Sequence, residues 1–198
     1  MIVIPNLNTE GIKRNTTTPV FTWRDKEGLM YPDLSGLNAA TLTVFKGNLR
    51  LFAYEANDKM DFSIHWPHDW AVGTDTYIHV HWHHNGSAIA DTMTFTIEAA
   101  FSKRDAVSGS NISTTITRNT WTGANQYYHG VDEVQLSAAT GTSALFATGD
   151  LDIDGMVLGQ LTLTTAPTVT AGSLFVSTID IHYLSTNLGT VNKASPFY

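Results

Sequence analysis

Asp75-Thr76-Tyr77-Ile78-His79-Val80-His81-Trp82-His83-His84-Asn85-Gly86 alternates in side-chain type with a period of two. Successive side chains of a strand point to opposite faces, so Ile78, Val80 and Trp82 share one face and His79, His81 and His83 the other. β-Branched and aromatic residues suit the inner face of a sheet, and Asn85-Gly86 is a turn signal. The pattern predicts a half-buried strand carrying a row of imidazoles outward.

The same alternation recurs on both sides of this stretch. Strands are predicted at Thr41 to Phe45, Leu49 to Glu55, Met60 to Trp66, Tyr77 to His84, Thr92 to Phe101 and Ile112 to Arg118. Further strands are predicted at Tyr127 to Leu136, Leu145 to Leu151, Met156 to Thr164 and Leu174 to Leu184. Turn chemistry separates them at Lys46-Gly47-Asn48, Asn57-Asp58, Ser108-Gly109-Ser110, Thr122-Gly123 and Ala171-Gly172. Only Ser137 to Ala147 offers a helical period, and a weak one. Many short strands with regular turns predict an all-β, antiparallel β-sandwich of the jelly-roll type, with an immunoglobulin-like sandwich as the alternative. Before Thr41, the Asn, Thr, Pro and Gly residues (Asn6, Asn8, Asn15, Thr16-Thr17-Thr18, Pro19, Pro32, Gly36) interrupt any long periodicity. Residues 1–40 therefore read as an extended N-terminal arm in which Phe21-Thr22-Trp23 could add a short strand. Residues 41–186 read as one sandwich domain, and residues 187–198 as a C-terminal tail.

Composition narrows the function classes. The chain has 198 residues, enough for a sizeable core, and its 42% hydrophobic content argues against wholesale disorder. A formal charge of −7 with no basic run argues against nucleic-acid binding, which needs clustered Lys and Arg. Without cysteine there is no disulfide, thiolate ligand or cysteine nucleophile, which suits assembly in a reducing cytoplasm. Met1-Ile2-Val3-Ile4-Pro5 lacks the charged lead of a secretory signal, and no apolar run approaches the length of a membrane span. The expectation is a protein that contacts neither nucleic acid nor membrane.

Four groups of residues could carry chemistry. Gly73 followed after five residues by His79-x-His81 resembles the opening of a cupin metal motif. The glutamate expected just beyond is missing, because Asn85 and Gly86 stand there, and the later Gly-Pro-His is absent. His79, His81 and His83 cannot share one ion from a straight strand, since residues two apart are already about 6.5 to 7 Å apart. Asp150-x-Asp152-x-Asp154-Gly155 copies the first half of a calcium loop, but Leu161 stands where the bidentate glutamate belongs. The simpler expectation there is a strand end followed by a hairpin turn at Asp154-Gly155. Trp66-Pro67-His68-Asp69-Trp70 could stack on a sugar, or could form a tight corner whose indoles enter the core. Glu98, and Asp132-Glu133 near His129, could form acid–base pairs, but a solvated sheet face explains them more simply. No Gly-x-Ser-x-Gly elbow occurs. No residue is assigned to catalysis, to a cofactor or to a metal, and the chain is expected not to be an enzyme.

Two stretches do carry a resemblance. Pro67-His68-Asp69-Trp70, Gly73-Thr74-Asp75 and His79-Val80-His81-Trp82 resemble a signature of tailed-bacteriophage virion proteins. Ile179-Asp180-Ile181-His182-Tyr183, Leu188-Gly189-Thr190 and Ser195-Pro196-Phe197-Tyr198 are similar to the close of the same proteins. The resemblance covers roughly Phe62 to Gly86 and the last twenty-odd residues; the middle of the chain carries no matching motif. It implies a virion structural protein, best a capsid decoration or cement protein. Such a jelly roll would bind the major capsid protein and itself, as a homotrimer, on the capsid surface after assembly in the host bacterial cytoplasm. The alternatives are a carbohydrate- or host-binding β-sandwich module using Trp66, Trp70 and Trp121, and, third, a cupin-like metalloenzyme. His182 on the last strand is expected beside His79 and His81.

Overall fold

A computed structural model describes residues 21–33, 38–137, 146 and 150–186. The described residues form thirteen strands: β1 (Thr22–Glu27), β2 (Leu29–Pro32), β3 (Thr41–Lys46), β4 (Leu49–Tyr54), β5 (Lys59–His65), β6 (Thr76–His84) and β7 (Ala88–Ala90), then β8 (Met93–Ser102), β9 (Ile112–Arg118), β10 (His129–Ser137), β11 (Met156–Thr165), β12 (Thr168–Thr170) and β13 (Leu174–Ser185). Among the described residues there is no helix long and apolar enough to cross a membrane. The weak helical candidate at 137–147 and the tail at 187–198 lie almost wholly outside the described residues. So does most of the strand expected from Leu145, and Phe146, Asp150 and Leu151 are not in a strand.

One sheet runs β10-β6-β13-β4-β3, with β1 also paired to β13, and the other runs β2-β5-β11-β8-β9. All of these pairings are antiparallel. Eight strands define the topology: β4, β5, β6, β8, β9, β10, β11 and β13. The first of them pairs with the last, the second with the seventh, the third with the sixth and the fourth with the fifth. That nesting is an antiparallel ribbon rolled into a sandwich, which is a jelly roll and not an immunoglobulin-like arrangement. Among the described residues, β7 and β12 pair only with each other, as a small separate ribbon.

The inner faces meet as the alternation predicts. Ile78, Val80 and Trp82 of β6 are fully buried, with Met60, Phe62 and Ile64 of β5, Phe95 and Ile97 of β8 and Val157, Leu161 and Leu163 of β11 against them. Residues 21–33 belong to both layers, β1 extending one sheet and β2 the other. The crossing point is Gly28, whose N–H donates to the Ile179 carbonyl at 2.8 Å. A Cβ there would stand 2.7 Å from Ile64 Cγ1, so a side chain would push the layers apart.

The chain turns at Asn85-Gly86 as expected and leaves β6 for β7, which pairs with β12. Asn85 ties this turn to β3 and to the segment before β13: its amide donates to the Val44 and Phe45 carbonyls and its Oδ1 accepts from Ser173 N–H at 2.8 Å. One turn expectation changes: Asp154-Gly155 makes no hairpin. Gly155 N–H donates to Asp152 O in a turn that feeds β11 in the other sheet from β10.

Candidate functional site

Burial of Ile78, Val80 and Trp82 leaves the pleat one way to place their neighbours, and His79, His81 and His83 stand on the outer face of the six-stranded sheet. The flanking strands add to the row through their registers. On β10, Glu133 lies opposite His79, Val131 opposite His81 and His129 opposite His83. On β13, Asp180 lies opposite His79 and His182 opposite Tyr77, after a register shift between Val176 and Thr178. On β1, Asp25 lies opposite His182.

The centre of this face is the Asp180 carboxylate, whose side chain is only 6% exposed. Its Oδ2 is 2.7 Å from His81 Nε2 and its Oδ1 is 3.2 Å from His79 Nδ1. The second ring nitrogen of each histidine is also engaged: His79 Nε2 is 3.1 Å from Glu133 Oε2, and His81 Nδ1 is 3.0 Å from His129 Nε2. His182 stacks on His79 with ring centroids 4.9 Å apart, bonds Asp25 through Nδ1, and carries Trp23 on its other side, stacked at 4.7 Å. At the far end His83 stacks on His129 at 4.7 Å and bonds Ser177 Oγ. His182 is thus the neighbour that the sequence led one to expect, whereas Asp180 is the acidic partner that the local motif lacked.

Electrostatics divide the row. The Asp180 carboxylate holds His79 above the ordinary imidazole value, against the downward pull of burial and with help from Glu133. Burial, then the neighbouring His129 and His81, push His83 down to about 4, and burial with His81 also lowers His129. The His79 end favours a positive charge and the His83 end resists one. Beside His79 an open cleft of about 630 Å³ runs between β9 and β10, lined by Thr115, Thr117, Val131 and Glu133.

The remaining sequence candidates separate clearly. Trp66 and Trp70 are 0% and 1% exposed and meet edge to face at 5.3 Å, so they fill the core and offer no platform to a sugar. Trp121 packs against Trp82 and donates to the Asp91 carbonyl. Asp69 does more than shape its turn: its carboxylate accepts from Tyr183 Oη at 2.8 Å, from Ser185 Oγ and from Arg24. Asp150, Asp152 and Asp154 do not converge. Asp154 faces His65 and His68 at 2.9 and 3.1 Å, with Arg104 on its other oxygen. Of the proposed acid–base groups, Glu133 meets His79, while Asp132 is committed to Trp82 Nε1 and Arg118. Glu98 is exposed on the outer face of the five-stranded sheet.

No protein-family model matches the chain, and no curated protein matches it. Among solved structures it is similar to a carbohydrate-binding module specific for non-crystalline cellulose, at 11% identity and a TM-score of 0.34 over 79% of this chain and 86% of that one. It is also similar to the Eiger TNF of S. frugiperda, at 10% identity and a TM-score of 0.30 over 91% of this chain and 99% of that one.

Proposed function

We propose that the chain is a structural protein of the tailed-bacteriophage virion: a head decoration protein that binds the major capsid protein as a homotrimer on the capsid surface, assembled in the host cytoplasm and without catalytic activity. The observation that carries this reading is the joining of the two stretches on which the resemblance rests. Pro67-His68-Asp69-Trp70 and the strand through Ile179–Tyr183 are more than a hundred residues apart, yet Asp69 accepts hydrogen bonds from Tyr183 and Ser185. Backbone bonds join the same parts, Ala71 N–H to Leu184 O at 2.8 Å and Thr186 N–H to Asp69 O at 2.6 Å. β6, with its His-Val-His-Trp run, pairs with β13 throughout. That the two stretches meet in one part of the fold supports reading them as a single signature.

Two exposed leucines support self-association. On the outer face of the five-stranded sheet, Leu29 and Leu158 flank Ser63 from either side and are 73% and 41% exposed. Apolar side chains exposed on a sheet face add buried area when a second copy packs there. Light scattering tests the trimer: three chains of 21.7 kDa give a mass of about 65 kDa. Co-sedimentation with shells of the major capsid protein tests attachment, and deletion of residues 187–198 should weaken it while the sandwich still folds. A monomeric mass together with no co-sedimentation would reject the proposal.

A further inference from the structure

We propose that His79, His81 and Asp180 form a binding site for one divalent transition-metal ion of the zinc class. The site is independent of the virion reading. His79 Nδ1, His81 Nε2 and the Asp180 oxygens all lie within 4.8 Å of one another. An ion bound at about 2.0 to 2.2 Å from each ligand needs ligand atoms about 3.4 Å apart, which small side-chain adjustments supply from here. A single strand could not bring three histidines to one ion, but here the strand supplies two and its neighbour supplies the carboxylate. His79 and His81 reach toward Asp180 with opposite ring nitrogens, which lets two residues on one strand close on a point between them.

A buried carboxylate oxygen points to a ligand there. Asp180 is 4% exposed, and its Oδ1 is buried without a hydrogen-bond partner among the described residues. His79 Nδ1 is 3.2 Å from that oxygen and pairs with it as a cation; when the imidazole is neutral and its Nδ1 lone pair faces Asp180, as metal binding requires, the oxygen has no donor. Leaving such a group unsatisfied is costly, and a cation shared by the carboxylate and the imidazole lone pairs removes the cost. The outer nitrogen of His79 faces Glu133, the carboxylate–histidine arrangement that fixes a metal-binding tautomer. The charged groups acting on His79 are both carboxylates, Asp180 and Glu133. Two imidazoles and one carboxylate suit zinc, cobalt or nickel rather than calcium or magnesium, which take oxygen ligands. His79 and His81 remain 14% and 20% exposed, leaving room for water or a further ligand. The cluster of His65, His68 and Asp154 fits less well. Its histidines are 45% and 43% exposed, and Arg104 already neutralises the carboxylate at 3.2 Å.

The test uses the full chain, purified without an affinity histidine tag and stripped with EDTA. Zinc is titrated by calorimetry, and cobalt by its visible absorption. One saturable micromolar site per chain is expected. His79→Ala and His81→Ala should each weaken zinc binding by about tenfold or more while circular dichroism stays that of the folded protein. His65→Ala and His68→Ala should bind as the parent does. Asp180→Asn adds a third arm, and the two histidine variants decide the matter if it fails to fold. No saturable zinc heat in the folded parent would overturn the site, as would binding unchanged in both His79→Ala and His81→Ala, or binding abolished by His65→Ala or His68→Ala.

Discussion

Replacing Asp69 with alanine would remove the acceptor that ties the Pro67–Trp70 corner to the last strand. Three donors lose this acceptor: Tyr183 Oη, Ser185 Oγ and the Arg24 guanidinium. Tyr183 is 5% exposed and Ser185 is fully buried, so both hydroxyls are poorly placed to turn to bulk water. A buried donor left unsatisfied costs about 1 to 3 kcal/mol. Arg24 has a half-exposed side chain and contributes about 1 kcal/mol at most. The expected loss is therefore about 2 to 7 kcal/mol, a large fraction of the roughly 5 to 15 kcal/mol that holds a domain together. For a chain of this size that corresponds to a fall in melting temperature of roughly 10 °C. Asp69→Asn keeps one acceptor oxygen and should lose about half as much. Urea unfolding followed by tryptophan fluorescence reads the change directly, because Trp66 and Trp70 flank the corner. Tyr183→Phe, alone and combined with Asp69→Ala, isolates the pair, with a coupling of about 1 to 2 kcal/mol expected. A loss below about 1 kcal/mol for Asp69→Ala, or a coupling near zero, would show that the corner does not depend on this carboxylate.

Other expectations follow from particular contacts. A Cβ on Gly130 would stand 2.1 Å from Cζ2 of the fully buried Trp82, so Gly130→Ala should cost about 2 kcal/mol or more and alter the near-ultraviolet circular dichroism. An unchanged urea midpoint would contradict the seating of that indole. Burial, with the Asp58 charge adding, raises the Tyr54 phenol well above its ordinary value of 10.0. The unfolded chain ionises near pH 10 while the folded one keeps its proton, so this stability is complete below pH 10 and lost above it. Tyr54→Phe should remove about 1.4 kcal/mol of the loss between pH 9 and pH 11, measured by urea midpoints. An equal alkaline loss in the variant would refute the assignment.

Most strands of the sandwich are legible along the chain because a strand declares itself locally, through alternation and turn residues. β6 shows this most plainly: Ile78, Val80 and Trp82 face inward as their spacing requires. Beside it, β1 and β2 are hard to read, since Thr22–Glu27 is wholly exposed and Gly28 and Pro32 interrupt the pattern. β7 and β12, at three residues each, are too short for a period to register. The two tryptophans of the corner illustrate the same limit. Their identity allows either a sugar platform or a core, and only their packing beneath the sheets selects the core.

The sequence by itself determined that this is an antiparallel β-sandwich and that a row of histidines lies on one outer sheet face. Both follow from a period of two, which any six or seven residues reveal. The tertiary structure decided what stands beside those histidines. Asp180 reaches His79 only because β13 lies next to β6, and because the register shift before Thr178 keeps it on the same face. The pairing of Asp180 with His81, across 99 residues, is set by how the whole ribbon rolls, and the residues around the histidines contain no trace of it.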